Sequence, residues 1–317
     1  MTPPTIAIVC TVRNPSPSFT TWVHHHCQLV DRLYIYLDSP TEADFSAVPA
    51  DPAVCTSTGA RKSDFSGPSG VMQRQCKNVL HALTKCVIDG IDWLIHIDSD
   101  ELIYSPEQNL KKYFYQVDSK VSCVRFINHE AVSTYEAKNL FKEQKLFKKN
   151  QDFRMPDDAP PVDKDCLFLG YMNGKSAVRV EKCICPKGPH EFKVMDGEVI
   201  LEEGICILHY MSATYNDWLK KCAELGDFPS FWRDDLQRPM NGTFLVLSRD
   251  IYRYAKQSGD WKMASDFYRR FLISESDAKE LIKKGKLLSF DVFAENNKSS
   301  ECNFHKDNYL NTISKVL

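Results

Sequence analysis

Three carboxylates close one apolar run in this chain, Trp93-Leu94-Ile95-His96-Ile97-Asp98-Ser99-Asp100-Glu101-Leu102. The run from Trp93 to Ile97 reads as a buried strand of a mostly parallel sheet. Side chains alternate along an extended chain, so Asp98 and Asp100 are expected on one side at the carboxyl end of that strand, where open α/β sheets bind ligands. Hard divalent ions such as Mg²⁺ or Mn²⁺ take one or two carboxylates and complete their shell with water and phosphate oxygens. An Asp-X-Asp triplet so placed points to a nucleotide diphosphate. Acidic triplets also occur in solvated turns. Here the acid follows directly on a buried strand, where an unpaired carboxylate is costly unless a metal or hydrogen bonds take up its charge.

The surrounding elements must bring further polar groups to the same place. Thr5 to Val12 is a strand that runs into Arg13-Asn14-Pro15, and Leu33 to Leu37 is a second strand that ends at Asp38. Between them Phe19 to Leu29 has helical spacing. Its His24-His25-His26 run is no metal cage, because neighbours on a helix point about 100° apart. Residues 41 to 69 read as a surface loop with a short strand near Val54. A helix from Val71 stops at Gly90, and Ser105-Pro106-Glu107-Gln108 reads as a capping box opening a helix to about Gln116. Val121 to Ile127 is a fourth strand, leading to Glu130. Arg13, Asp38, Asp98, Asp100 and Glu130 thus close successive strands of a doubly wound, mostly parallel α/β sheet. Downstream, 156 to 165 is an acidic, Pro-rich loop, Ser176 to Glu181 and Ile205 to His209 are short strands, and Thr214 to Leu225 is a capped helix. Ser248 to Gln257, Asp260 to Leu272 and Ser274 to Lys284 read as helices of a C-terminal appendage.

Composition removes some function classes. The chain has 317 residues, 43% hydrophobic and 26% charged, with net charge −2, and a pI near 6.5. This is ordinary globular composition without the basic surface that nucleic acid requires. Twelve cysteines is many, but Cys10, Cys76, Cys86, Cys123, Cys206 and Cys222 fall on apolar strands or faces, and no paired Cys-X-X-Cys suggests zinc. No apolar run approaches the ~20 residues of a membrane helix. The chain is therefore expected to be cytoplasmic, or membrane-associated or lumenal only if a longer precursor carries an anchor.

At this point the residues resemble a known group. Trp22 with His26, Tyr34-Ile35-Tyr36, Gln75 with His81-Ala82-Leu83, and Trp93 to Glu101 are similar to the glycosyltransferase family 2-like and family 92 enzymes. Gly174-Lys175-Ser176-Ala177-Val178-Arg179, His190, Leu208-His209-Tyr210, Trp218 and Lys221 continue the likeness, which covers roughly residues 5 to 225. The sequence departs from the group at Thr21, where Glu is usual, and at Ser99 and Leu102. The resemblance implies a GT-A fold over residues 1–230, with residues 231–317 a helical appendage outside it. It also implies transfer of a hexosyl-type sugar from a UDP- or GDP-sugar to a hydroxyl of a glycan or glycoconjugate, with inversion. Asp98 and Asp100 would bridge Mn²⁺ or Mg²⁺, and His209 would be a third metal or diphosphate ligand.

The nucleotide-sugar pocket is expected from Thr11, Arg13, Asp38, Arg74, Gln75, Asp98 and Lys175, with Arg179 as a further cation over the phosphates. An inverting transfer also needs a base on the acceptor side. Glu130 is the first candidate and His190 the second, with His129, Asp157 and Asp158 behind them. Other readings of the same strand-end acids are a nucleotidyltransferase, a nucleotide-sugar hydrolase, and an inactive sugar-binding or scaffold protein. No Walker-type loop follows the first strand.

Overall fold

The computed structural model describes residues 2–39, 41–60, 67–106, 109–150, 168–232, 237–240 and 243–294. The first half is a parallel sheet wound on both faces. It consists of β1 (Ile6–Val12), α1 (Phe19–Cys27), β2 (Arg32–Leu37), α2 (Glu42–Ser46), β3 (Val54–Thr58), α3 (Gly67–Asp89) and β4 (Trp93–His96). β1 pairs in parallel with β2 and β4, and β2 with β3. The strands are apolar on both sides, and alternation divides their residues between two layers. Ile6, Ile8, Cys10, Leu33 and Ile95 pack with Phe19, Trp22 and Val23 of α1, whereas Ala7, Val9, Tyr34 and Leu94 pack with Val79, Ala82 and Cys86 of α3. Gly90, at φ 66°, ends α3 in the left-handed region and turns the chain into β4.

The second half mixes directions. β5 (Glu101–Tyr104), α4 (Leu110–Gln116), β6 (Val121–Ala131), α5 (Leu140–Glu143), β7 (Leu146–Lys148) and β8 (Lys175–Arg179) come first. The β9 (Cys183–Pro186) and β10 (Phe192–Val194) hairpin, β11 (Glu198–His209) and α6 (Tyr215–Leu225) follow. Last are α7 (Phe244–Ser258), α8 (Trp261–Arg269), α9 (Glu275–Lys283) and β12 (Leu287–Ser289). The sheet order is β3-β2-β1-β4-β8-β6-β7-β12, with β11 pairing both β5 and β6. β8 runs antiparallel to both its neighbours. The architecture is the expected α/β, Rossmann-like one, with a mixed rather than uniformly parallel second half.

Several expectations shift in detail. The capping box at Ser105 depends on Glu107 and Gln108, which lie outside the described residues. The cap seen on α4 is Asn109, whose side chain accepts from the Lys112 amide at 2.8 Å. The stretch expected as a helical appendage gives three helices and then β12, which pairs with β7, so it is not helical throughout. Three residues carry too short a pattern to read as a strand. Phe244, Phe267 and Tyr268 pack with Trp218 of α6. Among the described residues no helix is long and apolar enough to cross a membrane, and the ten described cysteines are free thiols.

One contact ties α1 to the acid segment. The fully buried Trp22 donates its indole N–H to the Glu101 carbonyl at 2.6 Å. Trp22→Phe keeps an aromatic ring but leaves that carbonyl without its partner in the core. It should lower unfolding free energy by about 1–3 kcal/mol in urea denaturation. No loss of stability would show the bond to be incidental.

Candidate active site at the carboxyl ends of the parallel strands

The acids converge by a turn, not by strand alternation. β4 ends at His96, and Asp98, Ser99 and Asp100 form the bend into β5. The Glu101 carboxylate closes the bend by accepting from the Asp98 amide at 2.7 Å, and the Glu101 amide donates back to the Asp98 carbonyl at 3.2 Å. β11 fixes the far side, with the Tyr210 amide bonded to the Asp100 carbonyl at 2.8 Å and His209 in register with Glu101.

Two lysines neutralise the pair. Lys175 donates to Asp98 Oδ2 at 2.7 Å and stands 3.7 Å from Glu101, while Lys221 of α6 is 3.2 Å from Asp100 Oδ2. Burial would raise the pKa of Asp98, but Lys175, joined by His96 and His190, outweighs it and the net shift is downward. Asp100 is also lowered, burial being outweighed by Lys221 and His209. Glu101 is pushed up to about 8, by burial first and then by its acidic neighbours, although Lys175 pulls the other way. Its carboxyl also accepts from the Tyr171 hydroxyl. Tyr171 packs between His190 and His209, with ring centroids 4.3 and 4.8 Å away. Tyr171 had no signal in the sequence, since it lies outside any patterned element.

The residues expected to form a nucleotide pocket mostly gather here. Thr11, Arg13, Asp38, Arg74, Gln75, Asp98 and Asp100 line one cavity of about 1930 Å³. Asp38 does not face the cavity as a free acceptor, because Arg74 holds it in a two-pronged ion pair, both bonds 2.9 Å. Gln75 donates to Asp98 Oδ1 at 2.5 Å, and Thr11 accepts from Asn78 at 3.0 Å. Lys175 was expected over the phosphates; it is wholly buried behind Asp98, so it supports the acid instead. Arg179 is elsewhere, stacked 4.5 Å over the Trp93 ring and bonded to the Val121 carbonyl.

Of the expected proton acceptors, Glu130 has no exposed surface, and Lys148 and the Leu169 and Gly170 amides take up its carboxylate. It stands on β6, one strand removed from β4, with β8 between them. His190 lines the cavity. Its Nδ1 pairs with the Gly174 carbonyl at 2.8 Å, which makes that nitrogen the donor and leaves Nε2 as acceptor. Burial pushes its pKa well down. His129 sits on β6, its Nδ1 accepting from the Asn150 amide at 3.3 Å. Asp157 and Asp158 lie outside the described residues. His25 and His26 bond to Ile103 and Trp22 backbone atoms, a packing role.

Among the described residues no three His, Cys, Asp or Glu side chains form a ready cage for a metal. Both oxygens of Asp98 already carry hydrogen bonds. Asp100 Oδ2 and His209 Nε2, however, are 3.8 Å apart. Two ligands of one ion bound at ~2.1 Å can span that distance. His209 Nδ1 is buried with no hydrogen-bond partner among the described residues. These two residues fit an ion that brings the rest of its shell as water and phosphate oxygens.

No family model matches the chain. It is 30% identical over 227 residues to Glycosyltransferase-like At3g57200 of Arabidopsis thaliana, covering 67% of this chain and 43% of that protein. It is 28% identical over 228 residues to Glycosyltransferase-like At2g41451 of the same plant, covering 67% and 49%. The chain thus spans less than half the length of these curated relatives. Among solved structures it is similar to a putative glucose-1-phosphate thymidylyltransferase from Bacillus anthracis, at TM-score 0.35 and 11% identity, over 71% of this chain and 97% of that one. A second is 4-diphosphocytidyl-2C-methyl-D-erythritol synthase from Anaerococcus prevotii, at TM-score 0.31 and 12% identity, over 64% and 90%. Structural likenesses this weak carry no argument about the site.

The buried imidazoles make stability depend on pH. Burial lowers His25, His26, His190 and His209 below 6.5, and His96 and His129 to about 4. Between these values and 6.5 the unfolded chain binds more protons than the fold, so their contribution is lost as pH falls from about 6.5 toward about 4. Glu101 acts in the opposite sense, its contribution being lost as pH rises from 4.5 through about 8. Six imidazoles outweigh one carboxyl, so the urea midpoint should fall between pH 7 and pH 5. A flat or rising midpoint would contradict the buried, neutral state of these rings.

Proposed function

We propose that this protein is a glycosyltransferase that moves a sugar from a UDP- or GDP-sugar to a hydroxyl of a glycan or glycoconjugate, with inversion. The observation that carries the reading is the convergence of Arg13, Gln75, Asp98 and Asp100 at the carboxyl ends of parallel strands, in a cavity of about 1930 Å³. Sites for drug-sized ligands occupy roughly 300–1,000 Å³, so donor and acceptor have room together. The two curated relatives, named glycosyltransferase-like, point the same way. Residues 1–230 form the nucleotide-sugar-binding part in this reading, and Phe244 and Leu245 of the C-terminal helices border the cavity.

The donor diphosphate lies against the acid bend, with Arg13 supplying positive charge. Asp100 and His209 hold Mn²⁺ or Mg²⁺, with Asp98 beside them. Such an ion neutralises charge on the leaving nucleotide. Asp98 is oriented by Lys175 and Gln75, and Asp100 by the Tyr210 amide on its carbonyl. His190 takes the acceptor proton on Nε2, because Glu130 is closed off by Lys148 and two amides.

A donor screen tests the activity: UDP- and GDP-sugars with Mn²⁺, reading nucleotide release with and without glycan acceptors. Acceptor-dependent release is expected. Free sugar without acceptor would favour a hydrolase, and pyrophosphate exchange a nucleotidyltransferase. Asp100→Asn should reduce turnover at least ~10²-fold with melting temperature nearly unchanged; near-normal turnover would remove the acid from the reaction. His190→Asn retains a donor for the Gly174 carbonyl and should cost about 10²-fold in kcat with donor affinity preserved. Equal loss of donor affinity and kcat would reassign it to binding.

A further inference from the structure

The same oxygen of Asp100 serves two candidates. Lys221 Nζ is 3.2 Å from Asp100 Oδ2, and His209 Nε2 is 3.8 Å from that same atom. An ammonium and a divalent cation cannot both hold one carboxylate oxygen at full strength, since each answers the same charge. We infer that Lys221 is a displaceable counter-ion that blocks Asp100 from taking a divalent cation until a nucleoside diphosphate arrives with it. This rests on the donor reading above.

The two lysines differ in freedom. Lys175 is wholly buried, bonded to Asp98 and to the Pro189 carbonyl at 3.3 Å, and has nowhere to go. Lys221 lines the cavity, and about a third of its side chain is exposed. Its helix is anchored independently. Lys220 donates to the Asn14 carbonyl at 2.5 Å, and Glu224 accepts from the Asn14 side chain at 2.9 Å. Lys221 can therefore swing on its own four-carbon stem while α6 stays in place, and a phosphate is a suitable landing point for an ammonium.

Charge balance sets the order of events. Asp98 and Asp100 against Lys175 and Lys221 sum to zero. A bare dication would add two unmatched positive charges to a partly desolvated site, and a bare diphosphate would bring more negative charge than Arg13 alone can match. Cation and diphosphate together largely offset each other, the small negative remainder falling to Arg13. Each must then strengthen the binding of the other by the same factor.

The test is calorimetry of the whole chain with Mn²⁺ alone, with UDP or GDP alone, and with both. In the wild type, nucleotide should tighten Mn²⁺ binding ~10-fold or more. Lys221→Met and Lys221→Gln should bind Mn²⁺ alone roughly 10-fold tighter, because Asp100 loses its competitor, while nucleotide binding weakens. Lys221→Arg should restore the wild-type Mn²⁺ affinity. A purely structural lysine would not shift the two affinities in opposite directions. Unchanged or weaker Mn²⁺ binding in both neutral variants, with melting temperature maintained, overturns the inference. Wild-type protein that binds neither nucleotide, with or without Mn²⁺, overturns the donor reading itself.

Discussion

The carboxylate of Glu101 on the amide of Asp98 is the constraint on which this structure turns. It closes the four-residue bend between β4 and β5 that brings Asp98 and Asp100 together. Everything near it then has to tolerate a third buried acid. Tyr171 donates to its other oxygen, and Lys175 sits between it and Asp98. Trp22 caps the carbonyl of the same residue. A buried charge cluster of this kind is weak as a source of stability but strongly specifies geometry when every member is satisfied.

The two charged systems on either side of β11 are separate in kind. On one side, Asp98, Asp100 and Lys221 line the cavity, with Lys175 buried behind them. On the other, Glu130 is locked by Lys148 and backbone amides with no access to solvent. Both are carboxylates at a strand end in the sequence, and only their partners distinguish them. His209 lies between the two, in register with Glu101 on one strand and Glu130 on the other.

The parallel half was legible because both of its periods are long. β1, β2 and β4 are unbroken apolar runs, α3 repeats its apolar face over many turns, and each strand ends at a polar residue that the fold brings to one edge. What could not be read depended on partners far away in the chain. Lys175 looks like any strand-edge cation until Asp98 is placed beside it, 77 residues earlier. Asp38 looks like a free acceptor until Arg74 closes on it from α3. β5, β7 and β12 are too short to show alternation, and the acid pair was expected to converge by strand geometry when a turn does it. The insertion of β8 between β4 and β6 leaves no local mark in the sequence either.

That insertion governs how the molecule can be made. β4 and β6 are separated by only 24 residues of chain, yet the strand that joins them comes from residues 175–179. During synthesis β1, β2, β3 and β4 can pair as soon as they emerge, but β4 then waits with one open edge for more than seventy further residues. An unpaired apolar edge is a template for the wrong strand. β8 brings Lys175 at its first residue, so the step that seals the sheet also delivers the buried cation, and the acid bend acquires its charge partner only when the edge is no longer open to other chains.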